Sequence, residues 1–265
     1  MENKVKNAER FRGFADIYDS ARPAVPYYPI EKILSYLKKR PTCVVDIGCG
    51  TGLSTVVWKD SADFVIGIEP SLDMISVARK KPLANVKFIQ AFSDQTTLES
   101  NMADVVICSQ SFHWMEPDAT LKEINRILKN GGIFATIDYD WPPVSDWEAE
   151  KAYKDLINKE RLIENSIEGI RNTFFRYDKT KHLENIERSG YFRYSREILF
   201  SNKEKCDARR FMNLMLSHGG LQTILRKSPN LIEEDLKKFE KTIKRIFAGK
   251  EFEIDFCYRM RIGIK

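Results

Sequence analysis

The sequence of 265 residues has no uninterrupted apolar stretch approaching the roughly 20 residues that a membrane-spanning helix needs. Its first residues, MENKVKNAERFRGF, mix charges with isolated apolar residues and lack the apolar core of a signal peptide. It also has no C-x-x-C pair and no cysteine–histidine cluster, so we expect neither a metal site nor a disulfide framework. These absences predict a cytoplasmic protein, outside the membrane, whose five cysteines are reduced.

The net charge of +5 is unevenly spread, but no compact basic run accompanies it. Residues up to Asp140 carry one net negative charge, and the remainder carries six net positive charges. Most of the later lysines lie beside glutamates, as in IEEDLKKFEKTIKR, which is typical of solvated helix faces. We therefore expect no nucleic-acid partner, although an anionic substrate is compatible with the excess. No pattern sets an oligomeric state.

Short apolar runs alternate with helical patterns through the first 140 residues. The runs that predict strands are Cys43–Ile47, Phe64–Ile68, Val86–Ile89, Asp104–Cys108 and Ile133–Asp138. The predicted helices are Ile30–Lys39, Leu53–Lys59, Leu72–Lys80 and Ala119–Lys129. Ser71 is expected to cap the third helix through its hydroxyl, and Asn130-Gly131-Gly132 to end the fourth. This alternation predicts right-handed βαβ crossovers and a parallel sheet with helices on both faces.

After Trp141-Pro142-Pro143 the pattern changes. Helices are predicted over Asp146–Asn165, Asp207–Ser217, Leu221–Arg226 and Glu233–Phe247, and strands over Phe192–Phe200 and Phe252–Ile264. We expect the last strand to be an antiparallel addition at the sheet edge. The prediction is an α/β fold of the Rossmann-like, doubly wound kind: a mostly parallel, seven-stranded sheet with an antiparallel final strand and a helical insertion. Its expected parts are a ligand-binding core over 1–140, an insertion on the substrate side over 141–190, and closing strands and helices over 191–265.

The most informative segment follows the first predicted strand, where Gly48, Gly50 and Gly52 alternate with other residues. Glycines at this spacing let the chain turn tightly and let a ligand approach the main chain. A dinucleotide motif would read G-x-G-x-x-G, but here the third glycine comes one residue early; a phosphate loop would need a following lysine. Asp46, two residues before the first glycine, is poorly placed for a pyrophosphate and well placed for a cationic amino group.

This segment resembles the class I S-adenosylmethionine-dependent methyltransferases, in particular the small-molecule group called methyltransferase type 11. Asp46-x-Gly48-x-Gly50-x-Gly52 matches their first motif, and Glu69, 21 residues after Gly48, matches the acid that ends their second strand. The resemblance implies an enzyme that moves the methyl of S-adenosyl-L-methionine to an O, N or C acceptor on a small molecule. It also implies that Glu69 binds the cofactor's ribose hydroxyls and that the run through Pro70 and Met74 borders the adenine.

One position departs from the family pattern. Phe92 stands where the family often has the aspartate that binds the adenine amine. Either Ser93 or Asp94 makes the polar contact, or backbone and stacking hold the adenine; Phe92 could equally be a core aromatic. The residues expected around the cofactor are Asp46, Gly48, Cys49, Gly50, Gly52, Glu69, Pro70, Met74, Phe92, Ser93, Asp94, Ser109, Gln110, Tyr18 and Arg22.

The run from Ser109 to Trp114 follows the fourth predicted strand and resembles the family segment that ends in His-Trp and borders the methyl group. His113 is the candidate general base, since its ordinary pKa lies near neutrality. The alternative is that His113 only orients the loop or packs against Trp114, because methyl transfer needs no universal base. The residues expected on the substrate side are His113, Trp114, Tyr139, Trp141 and Arg176.

Residues Phe14–Pro23 resemble the family's leading helix, which folds over the cofactor as a lid. Tyr18 and Arg22 lie one helical turn apart, so both could face the pocket. Arg22 is expected to pair with a carboxylate of cofactor or substrate, or else with Asp19 on the surface. His182 and His218 are isolated in the sequence and are expected to be structural or exposed.

Three other functions stay open at this point. An RNA (tRNA) methyltransferase would use the same cofactor but bind its substrate with a salt dependence. A non-catalytic S-adenosylmethionine-binding protein would share the loop and lack an acceptor pocket. A nicotinamide oxidoreductase would bind NADH instead, and the early third glycine argues against it.

Overall fold

A computed structural model describes residues 2–81 and 83–265 of the chain. Its strands are β1 (Cys43–Ile47), β2 (Phe64–Ile68), β3 (Val86–Ile89), β4 (Ala103–Ser109), β5 (Leu128–Tyr139), β6 (Tyr194–Cys206) and β7 (Phe252–Ile264). Its helices are α1 (Glu2–Glu9), α2 (Ala15–Ala21), α3 (Tyr27–Leu37), α4 (Leu72–Ala78), α5 (Pro117–Ile127), α6 (Trp147–Ser166), α7 (Glu168–Arg171), α8 (His182–Arg188), α9 (Ala208–Leu216), α10 (Gly219–Lys227) and α11 (Glu233–Phe247). No helix among these residues is both long and apolar enough to cross a bilayer.

All seven strands belong to one sheet in the order β3-β2-β1-β4-β5-β7-β6. The five strands from β3 to β5 pair in parallel, and β7 runs antiparallel to both of its neighbours. The predicted α/β fold is therefore confirmed. The strand order reverses direction between β1 and β4, and the carboxyl ends of such strands diverge into a crevice where α/β proteins bind ligands.

Both faces of the sheet are covered, which explains why its central strands are mostly apolar. All five residues of β1 are buried, and six of the seven residues of β4. On one face Val45 and Val106 pack with Ile124 of α5, while Val44 and Val105 belong to the core on the other face. Burial on both sides removes the polar alternation that a half-exposed strand would show.

The prediction that β7 lies at the sheet edge is wrong. β7 lies between β5 and β6, and the edge strand is β6. Ile254, Phe256 and Met260 of β7 are completely buried. The exposed positions of β6 include Lys203 and Lys205, charged side chains that discourage pairing of an edge strand with another chain.

Several local predictions also need correction. The predicted helix over Leu53–Lys59 is only a 3₁₀ turn at Val56–Trp58, because consecutive β-branched residues there disfavour an α-helix. The glycines after Asn130 do not end a helix: α5 already ends at Ile127, and they lie inside β5. Ser71 does stand before α4, but its hydroxyl makes no capping bond.

Candidate functional site

The glycine loop between β1 and the 3₁₀ turn lies where the strand order reverses. The N–H groups of Gly48 and Cys49 both donate to the carbonyl of Ile68 at the end of β2, at 2.7 and 3.0 Å. Gly50 has a left-handed backbone (φ 56°), and a Cβ built there would meet no atom within 4 Å. Gly52 instead packs against the ring of Phe88, which leaves no room for a side chain. The loop therefore presents bare main chain to open space at Gly50.

Glu69, at the end of β2, is tied to this loop. Its Oε2 accepts the N–H of Gly50 at 2.9 Å, and its Oε1 accepts the N–H of Ser71 at 2.8 Å. Burial raises the pKa of Glu69 to about 7, although both backbone donors oppose the shift. Each oxygen has one backbone donor, and a ligand that brings hydroxyl groups would add donors and stabilise the charge.

Asp46 lies beneath the loop and is completely buried. Its Oδ2 accepts the hydroxyls of Ser54 and Thr55, both at 2.7 Å, while its Oδ1 has no partner. Burial raises the pKa of Asp46 to about 6. Two acidic groups, Asp46 and Glu69, therefore lie beside the loop with their charge incompletely compensated, which favours a cationic group nearby.

A cavity of about 810 Å³ of empty space opens above the loop. Ten of the residues predicted for the cofactor line it: Gly48, Gly50, Glu69, Pro70, Met74, Phe92, Ser93, Asp94, Gln110 and Tyr18. We call it the smaller cavity. Most of its lining is apolar, as in sites for small organic ligands.

The cavity wall after β3 carries the three residues discussed for the adenine. Phe92 is half-buried and offers its ring to the cavity, with the ammonium of Lys4 lying 4.8 Å from the ring centroid. Asp94 forms an ion pair with Lys4 at 2.7 Å, and Ser93 shares a hydrogen bond with Thr120 at 3.0 Å. Both polar side chains thus have partners within the chain, and Phe92 is available for stacking.

Helix α1 covers the smaller cavity, and its side chains hold it to several parts of the chain. The side-chain amide of Asn7 donates to the carbonyls of Trp114 and Phe175, both at 2.8 Å, and its Oδ1 accepts the N–H of Phe175 at 2.9 Å. Just after α1, Arg10 forms a buried ion pair with Glu164 of α6. The segment that covers the cavity therefore begins before Phe14, the residue at which the resemblance placed its start.

A larger cavity of about 1690 Å³ of empty space lies beside the first. Phe11, Tyr18, Gln110 and Trp114 line both cavities and form a shared wall. The five residues predicted for the substrate side line the larger cavity: His113, Trp114, Tyr139, Trp141 and Arg176. Their role in binding an acceptor stays a prediction, but the fold brings them together.

Arg22 was predicted for the cofactor, and the structure places it on the larger cavity. Its Nε donates to the hydroxyl of Ser217 at 2.6 Å, and a terminal nitrogen donates to the hydroxyl of Tyr139 at 3.0 Å. The guanidinium lies 4.9 Å from the ring centroid of Tyr18 and 4.7 Å from that of Trp141. It makes no contact with Asp19, which pairs with Lys81.

Four other residues predicted for the cofactor do not line either cavity: Asp46, Cys49, Gly52 and Ser109. Asp46 lies beneath the loop and accepts the hydroxyls of Ser54 and Thr55. The Cys49 thiol is buried against the backbone of Gly67, and burial raises its pKa well above the ordinary value. Gly52 packs on Phe88, and Ser109 ends β4. Motif position alone cannot separate residues that contact a ligand from those that shape the loop.

His113 lies in a 3₁₀ turn on the larger cavity and is 5% exposed. Burial lowers its pKa well below 6.5, and the positive charges of Lys179, Arg176 and Arg22 lower it further. His113 is therefore neutral at pH 7 and a weak base. Its carbonyl accepts the N–H of Tyr177 at 2.8 Å, which fixes the turn against the inserted segment.

His113, Asp138 and His182 offer donor atoms within 4.8 Å of one another, a set that could in principle ligate a metal. Both oxygens of Asp138 are already paired, one with Lys179 and one with Arg261, each at 3.0 Å. A metal ion would have to displace or lie beside these two cations, so the local charge disfavours it. His182 is 1% exposed, as expected of a structural residue, and burial lowers its pKa to about 4.

Sequence reasoning missed two groups of the larger cavity. His218 was expected to be structural or exposed, but it lines this cavity, hydrogen-bonded to Tyr153 at 3.0 Å and 3.6 Å from Glu160. Lys179 lies just beyond the aromatic segment Phe174–Tyr177 and donates to Gln110 at 2.6 Å. The sequence feature that could have indicated Lys179 is its position next to that segment, which the fold places at the end of β4.

The chain is similar in sequence to known proteins over about half of its length. Residues 45–136 match a family model described as a methyltransferase domain. Over 143 residues the chain is 32% identical to the probable S-adenosylmethionine-dependent methyltransferase CRG1 of Saccharomyces cerevisiae, covering 51% of this chain and 49% of that protein. Over 155 residues it is 29% identical to the ubiquinone/menaquinone biosynthesis C-methyltransferase UbiE of Campylobacter jejuni, covering 52% of this chain and 66% of that protein.

A solved structure shares the fold along most of the chain. It belongs to a protein of Anaeromyxobacter dehalogenans assigned as a type II methyltransferase, with a TM-score of 0.69 and 18% identity. The match covers 92% of this chain and 97% of that one. The chain thus spans about half of the yeast relative and 66% of the Campylobacter one, while its architecture matches a solved structure almost end to end.

Proposed function

Since the chain carries a class I S-adenosylmethionine-dependent methyltransferase domain, we propose that it transfers the methyl group of S-adenosylmethionine to an oxygen, nitrogen or carbon nucleophile on a small molecule. The observation that carries this proposal is the wall shared by the two cavities, formed by Phe11, Tyr18, Gln110 and Trp114. A donor in the smaller cavity and an acceptor in the larger one would meet at this wall.

The smaller cavity fits the chemistry of the cofactor. Burial raises the pKa of Glu69, and the two ribose hydroxyls would supply further donors that favour its charged form. Asp46 keeps one buried oxygen without a partner, so its charge favours the cofactor's ammonium group above it. Phe92 and Met74 offer apolar surface for the adenine. Gly50 leaves the main chain bare where the methionine part would approach.

The bound cofactor would supply a sulfonium methyl that is open to in-line attack. The chain's contribution is position: an acceptor atom must be held about 3–3.5 Å from the methyl carbon with water excluded. Phe11 and Trp114, whose rings meet edge to face at 5.6 Å, are suited to exclude water at the shared wall. Gln110, held by Lys179, has a left-handed backbone (φ 53°), a strained conformation that fixes its amide there.

In the same proposal, each of the three parts of the chain has its own role. Residues 1–140 hold the cofactor, residues 141–190 contribute to the acceptor cavity, and residues 191–265 complete the sheet and the cavity's far wall as part of one domain. Arg176 comes from the second part and His218 from the third. A cytoplasmic setting belongs to the proposal too, supported by five cysteines that are all free thiols.

Calorimetry with S-adenosylhomocysteine and NADH side by side tests the cofactor. We expect S-adenosylhomocysteine to bind and NADH not to bind. Glu69→Ala should weaken the binding by about ten-fold or more, the usual effect of removing a charged hydrogen-bond acceptor. Glu99→Ala, which removes an exposed carboxylate in the loop between β3 and β4, outside the smaller cavity, is the matched control and should bind as the wild type does. Binding of NADH alone would refute the proposal.

A single-turnover assay tests the transfer itself. Enzyme loaded with S-adenosylmethionine is mixed with a metabolite extract, and formation of S-adenosylhomocysteine is measured. Turnover with small metabolites supports the proposal. If the cofactor binds but no extract gives product, the chain is an S-adenosylmethionine-binding protein without this activity. Turnover only with the RNA fraction would make it an RNA methyltransferase.

A further inference from the structure

The larger cavity carries positive charge that the chain does not balance. Arg22, Arg161 and Arg176 line it, and within the described ranges none of the three forms an ion pair with a carboxylate. Arg161 and Arg176 are exposed at the cavity, whereas Arg22 is half-buried. Burial therefore matters most for Arg22: a guanidinium that is shielded from water and has no carboxylate partner is unfavourable, and a bound anion would offset its charge.

The larger cavity is lined by three carboxylates against five lysine and arginine side chains. The carboxylates are Asp140, Glu160 and Asp178. Asp140 pairs with Arg259 at 3.2 Å. Asp178 accepts the N–H of Thr180 at 2.9 Å, and Glu160 lies beside His218 at 3.6 Å. Burial acts to raise the pKa of Glu160, but its hydrogen bond to His218 and the charges of Arg10 and Arg176 lower it, so Glu160 offsets part of the charge of Arg176.

Arg22 is held in place by neutral groups. Three of its N–H groups donate to the hydroxyl and carbonyl of Ser217 and to the hydroxyl of Tyr139, and the guanidinium stacks over Tyr18 and Trp141. Since a guanidinium has five N–H donors, two are left for a ligand. Such an arginine is pre-organised, because its orientation is fixed before the ligand arrives.

The positive charges around the cavity also reinforce one another. Lys179 pairs with Asp138, which also pairs with Arg261, and Arg261 in turn pairs with Glu197 at 2.7 Å, so these four groups balance one another. Burial lowers the pKa of Lys179 against the opposing effect of Asp138, and the charges of Arg22 and Arg176 lower it further, which places both arginines close enough to act on the same group. Cations that repel one another in one cavity are stabilised together by an anion among them.

We propose that the methyl acceptor is a small organic anion, whose oxyanion is held by Arg22 and Arg176 while its body lies against Trp114 and Trp141. The planar fork of arginine matches a carboxylate in two parallel hydrogen bonds, so a carboxylate is the expected oxyanion. The inference rests on the proposed function, because it names the chemistry of the acceptor in that same reaction.

The test uses three probes of one shape on protein saturated with S-adenosylhomocysteine: benzoate, phenyl phosphate and benzamide. Binding is measured by ligand-observed nuclear magnetic resonance. We expect benzoate to bind about ten-fold or more tightly than the neutral benzamide. Arg176→Gln, at a side chain that forms no hydrogen bond in the described structure, should abolish this preference. Arg171→Gln, an exposed arginine of α7 outside the cavity, should keep it.

The outcomes separate this inference from the proposed function. Tight binding of phenyl phosphate with weak binding of benzoate supports an anionic acceptor and assigns its oxyanion as phosphate. Equal binding of all three probes to cofactor-loaded protein overturns the anionic acceptor and leaves methyl transfer standing. The same preference in wild type and Arg176→Gln overturns the assigned residue. Failure of S-adenosylhomocysteine to bind overturns both.

Discussion

The backbone N–H of Gly50 donates to the carboxylate of Glu69 over 2.9 Å, so the acid that ends β2 directly supports the loop that follows β1. This bond joins the two most diagnostic features of the sequence. It also places a carboxylate with a pKa of about 7 at the floor of the smaller cavity, where its charge state controls what can bind.

We expect the affinity for S-adenosylhomocysteine to fall by about ten-fold between pH 8 and pH 6. Ligand hydroxyls that donate to Glu69 favour its charged form, so its pKa drops on binding and a proton is released. Below pH 7 the free site holds that proton, and binding must first remove it. Calorimetry in buffers of different ionisation enthalpy measures the proton release. Glu69→Gln should remove most of the pH dependence, and an affinity that rises on acidification would contradict the assignment.

Gly50→Ala should weaken cofactor binding by about ten-fold or more while costing only about 1–2 kcal/mol of stability. The new methyl group would project into the smaller cavity, since no atom of the chain lies near it. Gly190→Ala is a matched control, because Gly190 also has a left-handed backbone (φ 71°) and open space around it, but lies on the surface. The two variants should melt at similar temperatures, and only the first should lose affinity. Equal affinities would count against contact at Gly50.

His113→Gln should retain single-turnover methyl transfer within a few-fold of the wild type. The pKa of His113 lies well below 6.5, so it is a weak base at pH 7, and a deprotonated acceptor needs no base. The pH–rate profile provides the second measurement. We expect the wild type and the variant to have the same profile between pH 6 and 8. A loss of about a hundred-fold together with an inflection that disappears in the variant would establish His113 as the general base.

Asn7→Ala should accelerate release of S-adenosylhomocysteine by about ten-fold. The variant removes three hydrogen bonds that hold α1 to Trp114 and Phe175. Stopped-flow dissociation measures the rate. Glu9→Ala, at the exposed end of the same helix, controls for a general effect on α1 and should leave the rate unchanged. Identical release rates in all three proteins would show that α1 does not retain the ligand.

The sequence was sufficient for the fold because the strands of a parallel sheet are buried on both faces and read as short apolar runs. The helix expected after Gly52 does not form, and the reason is local. Thr55, Val56 and Val57 are β-branched, and two hydroxyls near that turn donate to Asp46. The place of β7 could not be predicted, since a long alternating strand reads the same at an edge and inside an antiparallel pair.

The candidate site was predictable where it depends on the main chain and much less so where it depends on side chains. Gly50 and Glu69 follow from local spacing at two neighbouring strand ends. Arg22, Lys179 and His218 are far apart in the sequence and meet only because α2, the inserted segment and α10 converge on β4 and β5. No local pattern records such convergence, so the position of His218 on the cavity could not be predicted.

Asn7 has a consequence for how the two cavities open. Its single amide holds the cover of the smaller cavity to Phe175, in the segment that borders the larger one. We therefore expect both chambers to exchange their contents in one opening movement.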